Sequence, residues 1–321
     1  MQQVCGAAAL LGVLFLSGCK KDTGITSSPA KEATAETQGD QVLTPVGYMS
    51  RSNVHYIAPG YSLSVENGHL HKVETLSGKF VEDFGEVKPL EDRYNPAKFT
   101  SAAAGSGGSR LPYVEGWIAY SYWTNTGSAI TNFTTNWVVP SAPTKQSSQT
   151  IFLFNGLQDG TTSTSYIIQP VLQWGPSAAG GGKYWAVTNW YVSSSAAYYG
   201  SLVTVSAGAS LKGILKETAV SGSNYSYNSS FSGYSSASAL QINNVPQAYW
   251  AAETLESYGV ATPSTEYPPN SYVALDSIVM QQGTAYAPLS WSTAQATSGA
   301  AQKAVVVSNS ASDGQVNIYF R

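Results

Sequence analysis

The sequence predicts an all-β protein, an antiparallel β-sandwich of jelly-roll type with a small N-terminal accessory unit. Three observations predict it. The chain carries 21 Tyr, 8 Trp and 30 Gly, residue types suited to strands and to the turns between them. From residue 113 onward, short apolar segments of strand length recur between turn residues. No segment keeps a helical period. Candidate strands fall at 115–124, 131–139, 149–156, 165–174, 184–193, 201–207, 210–217, 224–232, 247–254, 271–280, 303–308 and 314–320. That number and spacing suit two packed sheets.

Taken in order, residues 1–18 read as an export signal. Ala7 to Leu16 is apolar but too short to span a bilayer. Leu16-Ser17-Gly18-Cys19 resembles a bacterial lipobox, although Met1-Gln2-Gln3-Val4 lacks the usual Lys or Arg. The motif implies a lipid on Cys19, hence an exported lipoprotein held at the cell envelope or cell surface. Cys5 would leave with the signal, so no disulfide is expected within one mature chain.

Residues 19–46 are polar and read as a flexible tether. Residues 47–112 form an accessory or propeptide region with a linker. Within it, Tyr61–Val65 and His69–Val73 alternate about Asn67-Gly68, a strong hairpin signal. His69 and His71 would share one strand face. With no third ligand evident in the sequence, a solvated face is expected there and no metal. Ser101 to Ser109 is low-complexity and reads as a linker or processing site.

Residues 113–321 form the sandwich domain and contain no His and no Cys. That excludes a Ser-His-Asp triad, a Cys-His pair and His-ligated zinc in this segment. Only eight acids remain: Glu115, Asp159, Glu217, Glu253, Glu256, Glu266, Asp276 and Asp313. Acid–base chemistry here would need one of them. Glu253, within the apolar run Gln247 to Thr254, has the least polar surroundings, which raise a carboxyl's pKa. Net charge is -3, with 11% charged residues. Nucleic acid is therefore not an expected partner, and few paired carboxylates are at risk in acid.

The order of short motifs through the domain resembles the glutamic peptidases of the eqolisin type, and more loosely the neprosin-like proteins. The motifs are Trp137-Val138-Val139-Pro140, Ile151 to Gly156, Asp159-Gly160, Ile167-Ile168-Gln169, Trp185 with Trp190-Tyr191, and Trp250-Ala251-Ala252-Glu253. The resemblance covers about residues 115–280. It implies a concanavalin-like sandwich and peptide-bond hydrolysis in acid, with a protein or peptide substrate, no cofactor and a monomeric chain. By motif, Glu253 matches the family's glutamate, Gln169 its glutamine, and Asp159-Gly160 a turn beside the cleft. Trp174, Trp185, Trp190 and Trp250 read as core fillers, sugar platforms or walls of a peptide cleft, with Trp174, Trp190 and Trp250 taken as candidate cleft walls. The sequence departs from the family at Asn189 and Thr254, where acids are usual, and in lacking cysteines.

The implied chemistry is coherent. An ionised Glu253 would take a proton from the attacking water and later pass it to the leaving amine. The Gln169 amide would donate to the oxyanion. On a strand, residues 167, 169, 171 and 173 share a face, so Gln173 rivals Gln169. Glu256 lies three residues beyond Glu253 and would face the opposite way.

Two other functions fit the composition. One is a carbohydrate-binding, lectin-like sandwich, with the tryptophans as sugar platforms. The other is a glycosidase with a second acid such as Glu115 or Asp159.

Overall fold

The computed structural model describes residues 40–90, 115–160, 163–234, 236–297 and 300–321. The lipobox with Cys19, most of the tether and the low-complexity stretch 101–109 lie outside these residues. Strands dominate. The single α-helix among the described residues is a four-residue turn, Pro263–Glu266. Glu266 is buried within it and accepts from the amides of Ala261 and Thr262.

The chain begins with a hairpin of β1 (Gln41–Thr44) and β2 (Gly47–Ser50). It continues through β3 (Val54–Tyr56), β4 (Tyr61–Glu66), β5 (His69–Glu74) and β6 (Phe80–Glu86). The sandwich strands follow: β7 (Gly116–Thr124), β8 (Ile130–Val138), β9 (Thr150–Gln158), β10 (Tyr166–Ser177) and β11 (Gly180–Ser193). Next come β12 (Ala196–Tyr199), β13 (Val203–Val205), β14 (Ser210–Ser221), β15 (Asn224–Phe231) and β16 (Leu240–Val245). The last are β17 (Trp250–Tyr258), β18 (Tyr272–Gln282), β19 (Ala285–Tyr286), β20 (Ser292–Gln295), β21 (Lys303–Ser308) and β22 (Gly314–Tyr319).

Two large sheets result, and with them the expected sandwich. A nine-stranded sheet runs β20-β7-β17-β9-β10-β11-β12-β3, with β13 paired to β11. An eleven-stranded sheet runs β21-β22-β18-β8-β14-β15-β16-β4-β5-β6, with β19 paired to β18. Pairing is antiparallel except at two joins, β12 with β3 and β16 with β4. Both joins attach N-terminal strands. The accessory segment therefore extends both sheets at their edges instead of forming a separate body. The expected hairpin about Asn67-Gly68 forms, with both residues at positive φ, 52° and 80°.

Every strand expected from residue 113 onward forms. Four others, β12, β16, β19 and β20, carried no sequence signal. β12 is four residues behind a serine run, and β16 is broken by Asn243-Asn244, with Asn244 at φ 61°. The expected tether also ends early, since Gln41 to Val46 already belong to the first hairpin and its turn.

The central strands of the nine-stranded sheet are apolar on both faces. One face, carrying Leu153, Leu157, Ile168, Leu172, Ala251 and Leu255, packs against Phe133, Leu215 and Leu275 of the opposite sheet. The outer face, carrying Phe152, Phe154, Ile167, Val171, Trp190 and Trp250, is covered by Leu43, Val46 and Met49 of the first hairpin. A strand buried on both faces loses the clean apolar–polar alternation of an exposed sheet.

Candidate active site on the outer face of the nine-stranded sheet

Strand parity decides where each functional side chain points. On β10, Ile167 and Val171 belong to the outer cluster, so Gln169 and Gln173 face outward with them. On β17, Ala251 and Leu255 belong to the inter-sheet core, so Glu253 faces inward. The register agrees. Glu253 sits opposite Asn155, between Leu153 and Leu157 on the inner face of β9. The expected meeting of Gln169 with Glu253 therefore does not occur, because the two side chains leave opposite faces of one sheet.

Glu253 is wholly buried between the sheets. The Thr135 hydroxyl on β8 donates to its Oε1 at 2.5 Å. Burial pushes its carboxyl well above the usual carboxylate range, and the Thr135 bond only partly opposes this. Glu253 Oε2, the Ser121 hydroxyl and both polar atoms of the Asn155 amide have no hydrogen-bond partner among the described residues. Gly213 of the facing strand makes room here, since a Cβ there would lie 2.5 Å from Asn155 Oδ1. This inner cluster gives a polypeptide no way in.

The outer face holds a different acid. Glu256 pairs with Phe152 on β9, and Phe152 pairs with Gln173 on β10. Glu256 and Gln173 thus stand in one cross-strand row on one face. Two ladder steps put their Cα atoms about 10 Å apart, with the buried Phe152 side chain between them in the row. Glu256 is fully buried, and the Tyr258 hydroxyl donates to its Oε1 at 2.5 Å. Oε2 has no partner among the described residues. Burial pushes this carboxyl up to about 8, with the Tyr258 bond pulling the other way.

The cover over this row is polypeptide held by its backbone. Gln169 Nε2 donates to the Pro45 carbonyl at 3.2 Å, and the Ala178 amide donates to the Leu43 carbonyl at 2.8 Å. Tyr48 meets Tyr258 edge-on with ring centroids 5.9 Å apart. Gln173 is engaged by its own β10–β11 turn. Its Nε2 donates to the carbonyls of Gly175 and Gly180 at 2.7 and 2.9 Å, and the Ser177 hydroxyl donates to its Oε1 at 2.8 Å.

The other expected site residues divide between the faces. Trp190 and Trp250 lie on the outer face, Trp250 stacked on Tyr122 with centroids 5.7 Å apart. Trp174 points between the sheets and packs edge-on against Trp185, so it is no wall of the outer cleft. Asp159 shapes its turn, accepting from the hydroxyls of Thr164 and Ser165 and from the Ser165 amide. Gly160 permits that turn, because a Cβ there would meet the Ser163 carbonyl at 2.4 Å.

Sequence reasoning passed over Glu256 and Tyr258 as site residues. Spacing does not single them out. Gln169 to Glu253 is 84 residues and Gln173 to Glu256 is 83, so distance along the chain favours neither pair. Gln169 and Gln173 share a face, so only the facing of β17 separates the pairs.

No protein-family model matches the chain. No curated protein matches it. Among solved structures it is similar to Scytalido-glutamic peptidase with a peptide-based transition state analog, at 14% identity and TM-score 0.37, covering 62% of this chain and 97% of that one. A second structure of that peptidase, with a transition state analog inhibitor, gives 14%, a TM-score of 0.35 and coverage of 64% and 98%. SCP-B, a member of the Eqolisin family of peptidases in a complex with the tripeptide Ala-Ile-His, gives 15%, a TM-score of 0.38 and coverage of 64% and 98%. At such identities and scores the likeness bears on no residue's role.

Proposed function

We propose that the chain is the covered form of a glutamate-dependent endopeptidase whose acting acid is Glu256, with Gln173 as its amide partner. One observation carries the reading. The face that holds Glu256 and Gln173 already binds a stretch of polypeptide, through the carbonyls of Leu43 and Pro45. A surface that takes a β-hairpin by two of its backbone carbonyls and sets a buried carboxyl beneath it suits peptide hydrolysis.

In the uncovered site, Glu256 ionises, takes a proton from water and returns it to the leaving amine. The tetrahedral oxyanion takes a hydrogen bond from Gln173 Nε2, which must first give up one of its two turn carbonyls. Leu43 holds that turn through Ala178, so displacing the hairpin also loosens the amide. In the covered form the carboxyl stays protonated at neutral pH and cannot act as a base. Leu43, Val46 and Met49 are each buried, at roughly 1.5–3 kcal/mol apiece as an upper estimate, enough to keep the cover closed most of the time. The reading keeps the lipid anchor on Cys19 and a peptide substrate. The lectin-like alternative has less behind it, because all eight tryptophans are buried in the covered form and a sugar platform leaves the buried carboxyl without a role.

The test uses the full chain with Val46→Asp and Met49→Asp to open the cover, incubated with denatured protein from pH 3 to 8. Cleavage should appear above that of the parent chain. In the opened chain Glu256→Gln should abolish it, and Gln173→Ala should slow it by about 10²–10³. An opened chain that cleaves nothing at any pH removes the peptidase reading, and one that still cleaves with Glu256→Gln removes this mechanism.

A further inference from the structure

We propose that His69, His71 and Asp83 form a site for a divalent transition-metal ion of the zinc type. In the sequence, His69 and His71 lacked a third ligand. The fold supplies it, because β6 pairs with β5 so that Asp83 lies directly opposite His71. A register shift between His69 and His71 brings the same carboxylate beside His69. His69 Nδ1 lies 3.1 Å from Asp83 Oδ2, and His71 Nε2 lies 3.7 Å from Asp83 Oδ1. One donor atom from each residue falls within 4.8 Å of the others.

These spacings match a metal's needs. Ligand bonds of about 2.0–2.1 Å in a tetrahedron place donor atoms roughly 3.3 Å apart. Asp83 Oδ1 alone lies 3.3 Å from His69 Nδ1 and 3.7 Å from His71 Nε2, near that value, and an ion would draw the three donors, now within 4.8 Å, together. Two imidazoles and a carboxylate suit zinc better than calcium or magnesium, and they leave a fourth position for water.

The surroundings resemble an outer shell. His71 Nδ1, the nitrogen turned away from Asp83, is buried without a hydrogen-bond partner and lies 3.8 Å from Glu66 Oε2. The Ser64 hydroxyl holds the other Glu66 oxygen at 3.2 Å. A carboxylate behind a ligating histidine fixes the ring's tautomer and strengthens its donor nitrogen. Asp83 is itself oriented by the Gly85 amide, 2.8 Å from Oδ1. The ion would clip together the last two strands of the eleven-stranded sheet. It stands apart from the outer-face site and takes no part in the proposed hydrolysis.

The experiment is calorimetric titration of Zn²⁺ alone into the untagged, chelator-treated chain, with Co²⁺ absorption as a second readout. Binding of one Zn²⁺ per chain and an intense tetrahedral Co²⁺ spectrum are expected. Asp83→Asn and His71→Gln should each weaken binding at least tenfold. His55→Gln should leave it unchanged, since His55 stacks on Tyr198 instead. Asp83 is exposed on the edge strand and His71 is mostly buried on the strand beside it, so a thermal melt shows whether each variant is folded. Absence of saturable binding, unaltered binding in both ligand variants, or loss of binding with His55→Gln would each overturn the site.

Discussion

Replacing Glu256 with glutamine should change how stability depends on pH. In the unfolded chain this carboxyl titrates near its ordinary value of 4.5, and in the covered fold near 8. Between those values the folded state holds a proton that the unfolded state has released. Stability from this group is therefore fully present below about 4.5 and lost as pH rises towards 8. The full loss approaches roughly 5 kcal/mol, at about 1.36 kcal/mol for each unit of difference. Between pH 5 and 7 alone it comes to roughly 2.5 kcal/mol. Glutamine keeps an acceptor for the Tyr258 hydroxyl but has no proton to lose. Urea unfolding at pH 5, 6 and 7, read as midpoint multiplied by slope, should show the variant losing about 2.5 kcal/mol less than the parent chain over that range. Glu253, also raised by burial, contributes to both proteins and cancels in the comparison. Parallel stability–pH curves would refute the reasoning, because Glu256 would then titrate alike in both states.

Two further outcomes follow from packing and charge. Gly213→Ala should cost at least 1–3 kcal/mol in urea unfolding, since its Cβ would lie 2.5 Å from Asn155 Oδ1, 2.8 Å from Trp137 and 3.0 Å from Pro170. Glu266 titrates in the opposite sense to Glu256. Burial opposes its charge, but Lys145 at 2.8 Å, the Thr262 and Ala261 amides and the Ser147 hydroxyl outweigh that and pull the carboxyl down to about 2. Its contribution is present above about 4.5 and lost as pH falls towards 2. Glu266→Gln should therefore cost roughly 2–3 kcal/mol at pH 7, discounted for the exposed Lys145, and almost nothing at pH 2. An equal cost at both pH values would contradict the assignment.

The sandwich was legible because its strands follow simple chemistry. Val, Ile, Tyr and Trp runs bounded by Gly, Asn and Ser mark β7 to β11 and β14, and Asn67-Gly68 marks the accessory hairpin. Short polar strands such as β20 carry no such mark, and pairing with a neighbour creates them. The site was legible only in part. The sequence narrows the acids to eight and shows that Glu253 and Glu256 point opposite ways. It does not show which way is inward, because β17 is apolar on both faces. The inner face is settled by Thr135 and the facing sheet, and the outer one by a hairpin more than 200 residues away in the chain. The same holds for Asp83, which reaches His69 and His71 only through a shifted register.

The most direct test sets the two acids side by side in one assay. In the chain opened by Val46→Asp and Met49→Asp, initial cleavage rates would be measured for Glu253→Gln and Glu256→Gln, each shown folded by its thermal melt. Loss of at least 10² in rate with Glu256→Gln, and a rate within a few-fold of the opened parent with Glu253→Gln, is the predicted result. The reverse ranking would contradict it and put the acting carboxylate between the sheets.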